Sequence, residues 1–97
     1  NDLYQISFYV PQSHLETVKS ALFEAGAGTI GRYACCAWQT QGQGQFKPLA
    51  DSTPYIGTVG AIETVSEYKV EMVCRQASLH AAIQALKAHH PYETPAY

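Results

Sequence analysis

The densest group of chemically capable side chains lies at the end of the chain, in His89-His90-Pro91-Tyr92-Glu93. Two imidazoles, a phenol and a carboxylate so close together are the groups of a metal site or of acid–base chemistry. Their spacing suits a single metal poorly, because adjacent histidines in an extended segment point apart. The plainer reading is a helix C-terminus, where partly positive imidazoles favour the dipole and the last carbonyls. Under the metal reading the ligands of a divalent ion are His90, Glu93 and Cys36, with His89 as a further donor; no other cofactor is called for.

Glu63, Glu67 and Glu71 recur every four residues. On a continuous strand they share one face, where they read first as a solvated edge that discourages aggregation. Their functional alternative is a carboxylate cluster that meets His90 or a neighbouring subunit. The Gln41-Gly42-Gln43-Gly44-Gln45 stretch is followed by Phe46, Lys47 and Pro48. It therefore lacks the Gly-Lys-Ser/Thr of a phosphate loop and the helix that follows one. It reads as a hairpin tip whose backbone amides could meet an anion. No serine or cysteine is visibly paired with a base, so no catalytic set assembles and the enzyme reading has the least support. Cys35, Cys36 and Cys74 form no C-x-x-C pair and read as reduced apolar thiols of a cytoplasmic protein.

These groups need elements to hold them. Tyr4, Ile6, Phe8 and Val10 alternate along a strand that Pro11 ends. Ser13 and Glu16 have the spacing of a capping box, and Leu15, Val18, Leu22 and Ala25 form the stripe of a helix closed by Gly26. Tyr33 to Thr40 reads as a second strand, and residues 41–60 as a tight turn, a short extended piece at Gln45–Lys47 and an ordered loop. Tyr68, Val70, Met72 and Cys74 alternate along a third strand that Thr58–Thr64 leads into. Ser78 then caps a second helix with Leu79, Ala82, Ile83 and Leu86 as its stripe, ending at His89-His90-Pro91. Thr94–Tyr97 opens a last strand. The order predicts one α+β domain over residues 1–97, a ferredoxin-like βαββαβ sandwich with two helices on one face of a four-stranded antiparallel sheet.

Composition narrows the function classes. Charged residues make up 14% of the 97 residues, against a usual share of about 25%, and the formal net charge is −2. Disorder is excluded by the 46% apolar content, and a nucleic-acid partner by having only 6 scattered basic residues. No apolar run reaches membrane-spanning length. The apolar content exceeds what one sheet face and two helical stripes hide, so the surplus predicts a subunit interface.

Gly31-Arg32-Tyr33-Ala34-Cys35-Cys36, Gly42-Gln43-Gly44-Gln45-Phe46-Lys47-Pro48, Pro54-Tyr55-Ile56-Gly57 with Gly60 and Glu63, and His90-Pro91-Tyr92-Glu93-Thr94-Pro95-Ala96-Tyr97 together resemble the YqfO-like domain. This is the CutA/PII-like insert of the NGG-interacting-factor family, the GTP cyclohydrolase I type 2 homologues, which also has short stand-alone members of this size. The resemblance implies a ferredoxin-like fold and a homotrimer similar to CutA and PII proteins. It also implies that the family's two-metal site lies in flanking domains, so no metal ligand or cyclohydrolase activity passes to any residue here. The combined expectation is a non-enzymatic ligand-binding or regulatory module. Its cleft lies between the 41–60 loop of one subunit and the His90–Glu93 corner of another, with His90, Tyr92, Glu93, Gly42, Gly44 and Phe46 as candidate contacts. The alternative is a divalent-metal-binding protein related to CutA-type metal tolerance.

Overall fold

The computed structural model describes residues 2–97. Alternation drives the first element: β1 (Leu3–Pro11) turns Ile6, Phe8 and Val10 to one side, all buried, while Gln5 and Tyr9 stay exposed. A single 3-10 turn, Gln12–His14, leads into α1 (Leu15–Glu24), which buries Leu15, Val18 and Leu22. β2 (Trp38–Phe46) and β3 (Glu63–Arg75) follow, and α2 (Gln76–His89) closes the order with Ala82 and Leu86 inward.

The sheet is antiparallel with strand order β1-β3-β2. Register fixes what each face carries. Ile6 stands opposite Met72 and Phe8 opposite Val70, so these residues and Cys74 meet both helices in one core. Fully burying a side chain such as Phe8 or Leu22 stabilises by about 1.5–3 kcal/mol. The same parity places Tyr9, Glu63, Glu67, Glu71, Gly42, Gly44 and Phe46 on the opposite face, away from the helices. Lys19 of α1 donates to the Gln39 side-chain oxygen at 2.9 Å, tying α1 to the glutamine side of β2. Burial raises the pKa of the Cys74 thiol, as expected for an inert core cysteine.

Gly26 ends α1 as expected, at φ +109°; a Cβ there would come within 2.6 Å of the Ser78 hydroxyl. Four expectations are corrected. Ser13 bonds the neighbouring His14 ring at 2.8 Å instead of capping α1, which has no side-chain cap. Ser78 lies inside the first turn of α2, because the chain passes from Arg75 directly into the helix. The second strand begins at Trp38, not Tyr33; before it an Ile30–Tyr33 bridge and the positive φ of Cys35 (+57°) break the extended run. The glycine-rich stretch is therefore the body of β2 and not a hairpin tip.

The fourth correction concerns the sheet. Three strands are present among the described residues, and Thr94–Tyr97 is irregular. Pro91 and Pro95 remove two backbone donors from this terminal segment. One bond remains, from the Tyr9 N–H to the Ala96 carbonyl at 3.3 Å, so the segment lies along the free edge of β1 without forming a ladder.

Candidate functional site

The His90–Glu93 corner and the segment after β2 meet within one chain. α2 ends at His89, and His90 takes an extended backbone (φ −75°, ψ 137°) that turns the chain back toward β1. His90 is 7% exposed and held at both ring nitrogens. The Tyr9 carbonyl, 2.6 Å from Nε2, can only accept, and the Tyr92 N–H, 3.1 Å from Nδ1, can only donate. The ring is therefore the neutral tautomer with its proton on Nε2. Burial lowers its pKa; the Tyr9 carbonyl and the Glu67 carboxylate oppose that shift, and His14 adds to it.

Fixing His90 fixes Tyr92, whose ring centroid lies 4.8 Å from the imidazole. Tyr92 is also 6.2 Å from Phe46 and 6.3 Å from Tyr55, both tilted. Tyr55 in turn meets His14 edge-on at 5.9 Å. Glu93 secures the loop, accepting the Thr53 N–H at 2.7 Å.

These contacts enclose a cavity of 420 Å³ between the outer face of β2 and β3, the 47–56 loop and the terminal segment. Gly44, Phe46, Tyr92 and Glu93 line it, together with Tyr9, Tyr55 and Glu67. The Glu67 carboxylate lies over Gly44, where a Cβ would overlap Oε1. The Tyr92 hydroxyl is buried and makes no hydrogen bond of good geometry. Burial first, and the adjacent Glu67 carboxylate second, push this phenol well above its ordinary pKa.

Of the remaining candidates, Gly42 stands opposite Glu67 in the sheet but does not line the cavity. His90 supports the cavity from behind. Cys36 sits elsewhere, its N–H on the Gly28 carbonyl at 2.8 Å and its thiol near the Ala34 carbonyl. Among the described residues no three His, Cys, Asp or Glu side chains gather as a metal donor set, so His90, Glu93 and Cys36 are not brought together as ligands. The glutamate series divides: Glu71 pairs with Lys69 at 3.3 Å, Glu63 packs beside Gly57, and only Glu67 reaches the cavity. Tyr9 and Tyr55 are new site residues. Tyr9 was legible only as an exposed aromatic facing away from the core, and Tyr55 only as part of the irregular loop and of the Pro54–Gly57 motif within it.

No family model matches the chain. Among curated proteins, GTP cyclohydrolase 1 type 2 homologues match nearly all of it. The Mycobacterium leprae protein is 47% identical over 89 residues, covering 92% of this chain and 23% of the relative. The Bacillus subtilis protein is 44% identical over 95 residues, covering 98% of this chain and 26% of the relative. The chain thus spans about a quarter of the length of these relatives. A Bacillus cereus protein related to NIF3 superposes with a TM-score of 0.83 at 33% identity, over 97% of this chain and 24% of the other. The periplasmic divalent cation tolerance protein CutA from Archaeoglobus fulgidus superposes with a TM-score of 0.66 at 20% identity, over 97% of this chain and 78% of that one. Bacillus subtilis GlnK gives 0.53 at 15% identity, over 92% and 72%. At those identities CutA and GlnK speak for the fold alone. Nearly the whole chain is thus similar to about a quarter of the GTP cyclohydrolase 1 type 2 homologues and of a NIF3-related protein, and its fold is CutA/PII-like.

Proposed function

We propose that this domain is a small-molecule-binding, regulatory module whose ligand lies in the cavity bounded by Phe46, Tyr55, Tyr92 and Glu67. The observation that carries this reading is the Tyr92 hydroxyl, buried at the cavity wall with the Glu67 carboxylate beside it but no hydrogen bond of good geometry. Buried polar groups are nearly always bonded, and exceptions concentrate at sites of function. The walls have the mixture common to ligand sites, aromatic and apolar surface with a few convergent polar groups. The test is an amide NMR titration with indole as a generic flat probe. Saturable shifts confined to residues 44–56, 67 and 92–96 are expected, and Phe46→Ala should weaken binding at least about five-fold by removing one stacking wall. Shifts scattered over the surface, or none, would remove the cavity as a binding site.

The module also self-associates in this reading, as a homotrimer. Among the described residues the outer edge of β2 is unpaired, and Trp38 at its start is 60% exposed. A row of unpaired backbone groups beside an exposed aromatic is a ready pairing edge. Light scattering at micromolar concentration should return three times the chain mass; a monomer would contradict the assembly.

A further inference from the structure

Resting on the cavity as a ligand site, we infer that its ligand is a flat nitrogen heterocycle presenting two neighbouring N–H donors, which the Glu67 carboxylate accepts. Glu67 is half-buried and oriented toward the cavity across Gly44, the position whose lack of a side chain leaves room for the carboxylate. A carboxylate offers two acceptor oxygens, and among the described residues no cation pairs with that of Glu67. Among the described residues Lys69 pairs with Glu71 and Lys19 with Glu16, and Glu67 has no ion pair. Its close polar neighbours are the Tyr92 hydroxyl and His90, which is neutral and committed to the backbone at both nitrogens.

The second carboxylate of the cavity, Glu93, is already used by the Thr53 amide. Glu67 is therefore the acceptor left for a ligand. Two parallel N–H groups spaced as in an amidine match its oxygens, as the guanidinium of arginine does. The walls choose the rest of the molecule. Phe46, Tyr55 and Tyr92 surround the space with tilted rings, and Pro48, Pro54 and Ile56 add apolar surface. Ring faces carry negative potential and attract an electron-poor or cationic partner. Two carboxylates against one lysine, Lys47, disfavour an anion.

The experiment compares 2-aminobenzimidazole, which has the paired donor edge, with indole, which has a single N–H, on the wild-type chain by NMR titration. The aminoheterocycle should bind at least about ten-fold more tightly, because charge-assisted bidentate bonds are the stronger kind. Glu67→Gln, which keeps the shape and adds a donor, should reduce it to the affinity of indole. Equal wild-type affinities for the two probes would overturn the donor-edge inference while leaving the cavity as a flat-molecule site. Absence of binding by either probe would overturn the cavity reading itself. The wild-type ratio decides the matter even if Glu67→Gln fails to fold.

Discussion

Replacing His90 with alanine should lower stability by about 2–4 kcal/mol, read as a shift in the urea midpoint at constant slope. His90 is the one buried polar side chain among the described residues, and it joins the end of α2 to β1 through the Tyr9 carbonyl. Its loss leaves that carbonyl and the Tyr92 N–H without partners and opens space behind the Tyr92 ring. The pH dependence follows from the same geometry. Burial holds the folded pKa of His90 below the unfolded value of about 6.5, against opposing contributions from the Tyr9 carbonyl and Glu67. Below that value the unfolded chain binds more protons than the folded one, so stability rises with pH there. It is complete above about pH 6.5 and is lost as pH falls from there toward the folded pKa. Protonation would place an N–H on Nδ1 against the Tyr92 N–H and break that bond. His90→Ala should flatten the stability profile below pH 6.5; an unchanged slope would assign the dependence to other groups.

Strong periodicity made much of this architecture legible beforehand. β1, β3 and both helical stripes were readable because each repeats apolar residues at its own period, and every core residue but Ala27 belongs to one of them. β2 was legible only at its two ends, where the readings at Tyr33–Thr40 and Gln45–Lys47 overlap it, because Gln and Gly are poor strand formers and the stretch between has no apolar alternation. Its strand state comes from its neighbour: residues 38–46 pair along their length with β3, and tertiary pairing overrides local preference. The glycines then have a different purpose from a turn. Gly44 occupies the outer face where the Glu67 carboxylate needs room, which neither residue reveals until the register is known. His90 and Glu93 stood out by type, but type is silent on direction. His90 turned inward to backbone groups, and Glu93 took a loop amide, leaving the Glu67 carboxylate to face the cavity.

Tyr92 separates stability from function most sharply. Tyr92→Ala should cost about 3 kcal/mol, since it removes the ring that Phe46, Tyr55 and His90 pack around and leaves a void at the sheet end. Tyr92→Phe keeps that ring and deletes only the hydroxyl. An ordinary buried tyrosine loses a hydrogen bond in this exchange and is destabilised. Here the hydroxyl has no well-formed bond to lose, and its desolvation is a standing cost to the fold. Tyr92→Phe should therefore leave stability unchanged or raise it by about 1 kcal/mol in urea unfolding. The same variant should bind 2-aminobenzimidazole more weakly, because the hydroxyl stands buried at the cavity wall with bonding capacity that a ligand can use. A group that lowers stability and raises affinity is retained for the ligand. If Tyr92→Phe instead destabilises by more than about 1 kcal/mol, the hydroxyl is bonded to Glu67 in the folded protein, and the pair is a structural strut closing the end of the sheet.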